Sequence, residues 1–370
     1  GYFDSVTAEP KPVQGTRDQV DLDIAVKERP TGSISLGAGY STSDGIILSA
    51  GFAQDNVFGS GKSTSIEVNT SKSQRTYAFS LTEPYITPEG ISRNWDIYDR
   101  RVDLDELDVS NVAYETIGAG ISFGVPVTEL DRIFVGTRWE MTKVDLRGGT
   151  DPSPKRYWDY VDQYGDKPQS LLLTLGWSRD SRDNVLAPTR GRYQRFNAEV
   201  SLPALDTQYY RATYQITQYL PITNFWTLGL NMQAGYGDSY GKRYPFFKNF
   251  YAGGIGSVRG YESSSLGPKD TNGDNLGGNQ QLVFSAELLM PLPGADKTLR
   301  GLMFLDGGNV WGYSGRGETN FALDDLRYSW GFGIAWISPL GPLKFSLAFP
   351  INKKDGDNTQ RFQFQIGTGF

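Results

Sequence analysis

The sequence predicts an all-β fold, a sixteen-stranded antiparallel transmembrane β-barrel, and three observations predict it. Apolar and polar residues alternate at period two in segment after segment, which gives strands one apolar and one polar face. The segments are even in number, and long connections alternate with short ones, as in a meander closed into an outer-membrane barrel. No run of about 18 apolar residues occurs, so no transmembrane helix is predicted.

Residues 1–30 stand apart from this pattern. GYFDSV and DQVDLDIAVKERP read as two strands of a small α/β unit whose remainder lies outside the chain, so the chain reads as mature or cut from something longer. The barrel is expected over residues 31–370. Its strands are placed at 32–42, 45–54, 62–71, 74–82, 91–101, 112–124, 130–146, 168–179, 190–202, 207–219, 225–237, 279–290, 298–312, 327–337, 342–351 and 360–370.

The alternation is plain in FWTLGLNMQAGYG (225–237), where Trp226, Leu228, Leu230, Met232, Ala234 and Tyr236 share one parity. Tyr328, Trp330, Phe332, Ile334 and Trp336 do so in the fourteenth strand, and Leu343, Phe345, Leu347, Phe349 and Ile351 in the fifteenth. Long connections fall at 147–167, 238–278 and 313–326; short ones, such as TEPYITPEG and SPLG, carry Pro, Asp or Gly. A soluble sandwich or propeller would bury the apolar face in a second packed layer. The opposite face here carries Ser, Thr, Asn, Gln, Arg and Glu, which suits a wet lumen, and aromatics gather near strand ends as interfacial girdles.

Composition narrows the chemistry. The 370 residues include no histidine and no cysteine, which removes the commonest general base, a His-dependent hydrolase site, thiolate nucleophiles and zinc–thiolate centres. A net charge of −6 argues against nucleic acid as a partner. No enzyme activity, cofactor or metal site is expected.

The 41-residue connection before strand twelve contains GGIGSVRGYESSSLG (253–267). It lacks the G-x-G-x-x-G spacing of a dinucleotide fingerprint and the G-K-[ST] of a phosphate loop. The nearby DTNGDNLGG places Asp270, Asn272 and Asp274 at alternate positions but lacks the glycine and glutamate of a calcium loop, and reads as a solvated loop. Glycine suits a loop folded into a crowded lumen, where an inserted arginine needs carboxylate partners. Glu287 has lumen-facing parity. Asp306, in MFLDGGNVW, has ambiguous parity and is placed inward because a bare carboxylate facing lipid is disfavoured.

From residue 31 onward the chain resembles the barrel of the BamA family, the outer-membrane protein assembly factors of Gram-negative bacteria. FYAGGIGSVRGYESSSLGP carries the V-R-G-[FY] core at Val258, Arg259, Gly260 and Tyr261; FLDGGNVW, WISPLGPLKFSLAFPI and the terminal RFQFQIGTGF add to it. The resemblance implies that the long loop folds back into the lumen and that Arg259 pairs with Glu287 and Asp306. It implies that residues 1–30 end the last polypeptide-transport-associated (POTRA) domain, with the N-terminal domains in the periplasm. The seam between strands one and sixteen would be a lateral gate, formed by Ile34, Leu36, Gly37 and Gly39 with Gly367 and Gly369, where glycine already weakens pairing. Phe362, Phe364, Ile366 and Phe370 resemble the recognition signal of outer-membrane barrels generally. The partners implied are unfolded outer-membrane β-barrel clients, periplasmic accessory lipoproteins of the assembly complex, and outer-membrane lipid with lipopolysaccharide. Alternatives are a polypeptide-secretion pore of the two-partner or TamA type, which shares the loop motif, and a diffusion porin.

Overall fold

The structure is a computed structural model that describes residues 3–15, 18–149, 152–292, 298–312, 321–338 and 341–367. β1 (Phe3–Pro12) and β2 (Val20–Glu28) pair with each other as a separate antiparallel hairpin. The barrel begins with β3 (Gly32–Ser41), β4 (Gly45–Gln54), β5 (Ser63–Thr70), β6 (Gln74–Glu83) and β7 (Ser92–Asp103). It continues with β8 (Val112–Pro126), β9 (Asp131–Leu146), β10 (Gln169–Asp180), β11 (Gly191–Ser201), β12 (Tyr209–Pro221) and β13 (Thr227–Ser239). After β14 (Gly260–Tyr261) come β15 (Gln280–Pro291), β16 (Leu299–Trp311), β17 (Arg327–Ser338) and β18 (Gly341–Pro350). β19 (Thr359–Gln360) and β20 (Phe362–Ile366) end the described chain. The barrel strands pair antiparallel in chain order, and β20 returns to β3 and closes the ring; β14 and β19 form a sheet of their own.

In most barrel strands the apolar parity faces outward; β16 carries apolar residues on both, with Met303 and Leu305 exposed and Leu302 and Phe304 buried. Trp330, Phe332, Ile334 and Trp336 on β17 are exposed, while Ser329 and Gly331 of the other parity are buried. Such residues have no protein to pack against, and lipid takes that place. Inside, wall glycines make room for the long loop between β13 and β15. A Cβ on Gly235 would lie 2.6 Å from the Phe250 ring, and one on Gly237 would lie 2.5 Å from the Tyr244 hydroxyl.

Two elements differ from the expectation. The connection from β9 to β10 contains a helix, α1 (Lys155–Tyr164), which the period-two reading passed over. Its Tyr157, Tyr160, Val161 and Tyr164 share one face at helical spacing. They pack with Phe246, Phe247 and Leu276 of the long loop and with Leu104 and Val109 between β7 and β8. Tyr157 is fully buried and stacks on Phe246 at 4.0 Å between centroids. Burial also pushes the Tyr160 hydroxyl above its ordinary pKa. Three connections at one end of the barrel thus share an apolar core and form a dome. The second difference is at the last strand. It begins at Phe362 and not at 360, because Thr359 and Gln360 turn away to pair with Gly260 and Tyr261.

Removing a buried aromatic leaves a cavity that costs about 3–5 kcal/mol. Tyr157→Ala is therefore expected to loosen the dome and leave the barrel intact. Protease added from the loop side should cut within 152–168 in the variant and not in the parent, with the strands protected in both.

Candidate functional site

The loop after β13 turns into the barrel and is fixed by short backbone contacts, Phe250 with Gly278 and Ala252 with Leu266. Phe250, Ala252, Val258, Tyr261 and Leu266 then pack as one buried cluster on Val283 of β15 and Val310 of β16. This packing presses the V-R-G-Y stretch against the lumen wall and leaves Arg259 2% exposed.

The guanidinium meets a site built for it. Arg259 Nε donates to Asp306 Oδ2 and Nη2 to Asp306 Oδ1, both at 2.7 Å, a two-pronged fork on one carboxylate. The Arg259 backbone N–H donates to the same Oδ2 at 3.1 Å. Ser285 Oγ accepts from Nη2 and donates to Asp306 Oδ1, closing the network. Nη1 lies 2.7 Å from Glu287 Oε1, and Lys344 Nζ lies 3.8 Å from that oxygen. The face of the guanidinium rests 3.5 Å from the Phe304 centroid. Two cations thus balance two carboxylates, and Asp306 is completely buried. The structure therefore brings together Arg259, Glu287 and Asp306, with Val258 and Tyr261 buried beside them. Gly260 follows at φ +91°, where a side chain would press on Ala348 and Pro350 of β18.

The periodic pattern left three further contributors unread. Phe304 has outward-looking chemistry on an inward position. Lys248, in the same loop, reaches a second stretch of wall, with Nζ 2.7 Å from Glu140 Oε2 on β9 and 3.8 Å from Glu199 Oε1 on β11. Tyr98 and Tyr209 donate to those two carboxylates. Arg327 forks onto Asp357, with Nε–Oδ2 at 2.7 Å and Nη2–Oδ1 at 3.0 Å. Local sequence gives no sign of such pairs, since the partners come from distant segments. DTNGDNLGG is solvated only in its first half, where Asp270 Oδ1 accepts from the Asn272 and Asp274 backbone N–H groups. Against the expectation of a solvated loop, Asn275 and Leu276 are buried, with Asn275 N donating to Val109 O and Leu276 packed in the dome. Among the described residues no group of three or more carboxylates is placed to hold a metal ion.

The seam is the second feature. Among the described residues β20 meets β3 in two register pairs, Gln365 with Ser41 and Ile366 with Tyr40, and Thr42 N donates to Phe364 O at 3.0 Å, whereas β12 meets β13 in thirteen register pairs. Gly39 and Gly367 make a backbone-to-backbone approach there: a Cβ on Gly39 would lie 2.4 Å from Ile366 O, and one on Gly367 2.4 Å from Ala38 O. Tyr40 stacks on Phe364 at 5.5 Å. Gly32 to Gly39, Gly37 included, pair with β4 and have no register partner across the seam among the described residues. Ile34 and Leu36 on that stretch are 78% and 83% exposed, more than the outward residues of β17. Phe362 is exposed; Gly369 and Phe370 lie outside the described residues.

Deleting one partner of a buried ion pair costs about 3–5 kcal/mol. Arg259→Ala is expected to lower the temperature at which the folded barrel loses its compact migration on unboiled gels. Arg259→Lys should recover little, because an ammonium cannot reproduce the fork.

Residues 56–370 match the model of the Omp85 superfamily domain. The chain is 41% identical over 408 residues to the outer membrane protein assembly factor BamA of Neisseria meningitidis serogroup B, a match covering all of this chain and 51% of that protein. It is 29% identical to the protein of the same description in Nitratidesulfovibrio vulgaris, covering all of this chain and 45% of that one. It spans about half the length of the curated relatives it matches. The crystal structure of BamA from Haemophilus ducreyi lacking POTRA domains 1–3 superimposes with a TM-score of 0.87 at 29% identity, over 99% of this chain and 75% of that one. CdiB from Acinetobacter baumannii shares the fold alone, with a TM-score of 0.60 at 14% identity, over 98% and 65%. With more than four-fifths of its length inside that domain, the chain belongs to the Omp85 superfamily.

Proposed function

We propose that this chain is the barrel of an assembly factor that folds and inserts other β-barrel proteins into the bacterial outer membrane; its BamA relatives are named outer membrane protein assembly factors. The observation that carries this reading is the seam. A sheet opens where the fewest ladder bonds must break, and among the described residues two register pairs and the Thr42 N to Phe364 O bond stand there against thirteen register pairs between β12 and β13. At about 1 kcal/mol net for each hydrogen bond, the seam is the cheapest place to part the ring. β3 then offers an edge whose outward parity is Ile34, Leu36, Ala38 and Tyr40 and whose other parity is Ser and Gly. An unpaired edge is ordinarily a hazard, and here it would template an incoming strand by β-augmentation. The client's own folding supplies the free energy, so no nucleotide or cofactor is required and the chain acts without enzyme chemistry.

On this reading the β1–β2 hairpin ends the last POTRA domain. Clients and periplasmic accessory lipoproteins approach from that side, and outer-membrane lipid with lipopolysaccharide surrounds the barrel. The loop seated on Arg259 occupies part of the lumen and the dome on Tyr157 packs across one end of the barrel, which supports lateral delivery over free diffusion through the pore.

The chain has no cysteine, so introduced pairs report without background. A disulfide between Tyr40→Cys and Ile366→Cys is expected to stop insertion of client barrels and leave the protein folded, with activity restored by reductant. A lock at Leu175 and Ala198, a register pair of β10 and β11, should have little effect. Normal insertion with the seam locked would reject the gate.

Planar-bilayer conductance should be small and erratic, and should rise when residues 253–267 are deleted. Steady porin-sized conductance from the intact chain would favour a diffusion channel.

A further inference from the structure

The loop that carries Arg259 also holds the last strand, through the two residues that follow the arginine. Gly260 and Tyr261 form a short antiparallel ladder with Gln360 and Thr359, just before β20 starts. Glu262 N donates to Asn358 O at 3.1 Å and extends this contact. Gln363, the second residue of β20, is 1% exposed and points into the lumen. Its Nε2 donates to Tyr261 O at 2.7 Å, and its Oε1 accepts from Gly260 N at 3.3 Å. One buried amide therefore satisfies a donor and an acceptor of the loop backbone at once. The connection leading into β20 is fixed from the other side by the buried Arg327–Asp357 fork, and Asp357 Oδ2 also accepts from Lys354 N.

These contacts matter because β20 has little else to hold it. Among the described residues it shares five register pairs with β18 and two with β3, fewer than any other neighbouring strands of the barrel. An unsatisfied buried amide is costly, so Gln363 keeps its place only while Gly260 and Tyr261 keep theirs. Their place is set by Arg259 on Asp306.

We propose that the lumen loop is the latch of the last strand, with Gln363 as the positioning residue that transmits the seating of Arg259 to the seam and the Arg327–Asp357 pair as its second fastening. The proposal rests on the reading of the seam as the working edge, and it assigns the control of that edge to the loop.

Backbone amide exchange of residues 362–366, measured on the whole protein in outer-membrane vesicles, tests this. Gln363→Met keeps length and removes both hydrogen bonds, and should speed exchange there about tenfold or more. Exchange in β10 to β13 should not change. Asp357→Asn, remote from the seam, should act in the same direction, so the test does not depend on one variant folding. Gln363→Met combined with Arg259→Ala should be no faster than Arg259→Ala alone, because both act through one contact. Unchanged exchange in β20 in both single variants, or an equal rise in every strand, would overturn the latch. Client insertion by the seam-locked protein is read separately, so a failed gate and a failed latch give different results: loosened β20 with insertion indifferent to the lock keeps the latch and rejects the gate.

Discussion

The fork between Arg259 and Asp306 is the constraint on which the interior depends. A guanidinium taken from water must find charge and directed acceptors, and a carboxylate with no exposure must find donors. Each group answers the other's requirement, and Ser285, Glu287 and Lys344 complete the balance. The fork fixes the depth of the loop, since an arginine one residue out of place would leave Asp306 unpaired against the wall. The depth in turn sets which backbone groups of the loop face β18, β19 and β20. A long loop ordinarily carries many conformations; this one is reduced to a single seat by a pair of planar groups.

Much of this was legible in the sequence. Period-two alternation located all sixteen barrel strands to within a few residues, because lipid on one side and a wet lumen on the other impose opposite chemistry on successive positions. Parity put Glu287 inside, and the cost of a carboxylate facing lipid put Asp306 there too. The start of the last strand was misplaced because Thr359 and Gln360 keep the alternating pattern while pairing with the loop. Alternation records which face a residue prefers and says nothing about which neighbour it meets. The helix at Lys155–Tyr164 was missed for a related reason: its aromatic stripe at three and four residues was available, but ten residues of it lay within a connection already read as a loop.

What the sequence could not express were pairings between segments far apart. Lys248 with Glu140, Arg327 with Asp357, and Gln363 with the backbone of Gly260 and Tyr261 join positions separated by tens to over a hundred residues. A lone lysine or glutamine on a polar parity looks the same whether it meets water or a partner. Closure of the barrel creates these contacts, since it brings residues of distant strands and connections within reach of the central loop or of one another.

The dome also governs what can be recognised from the loop side. Tyr157 and Tyr160 are committed to the apolar core, so the face of the helix that remains free presents Trp158, Asp159, Asp162 and Gln163 in fixed relation. An antibody raised against this end meets a prearranged epitope and gives up little binding free energy to ordering it. Sequence drift that evades such an antibody falls on outward positions, because substitutions beneath them would weaken the packing that gives the epitope its shape.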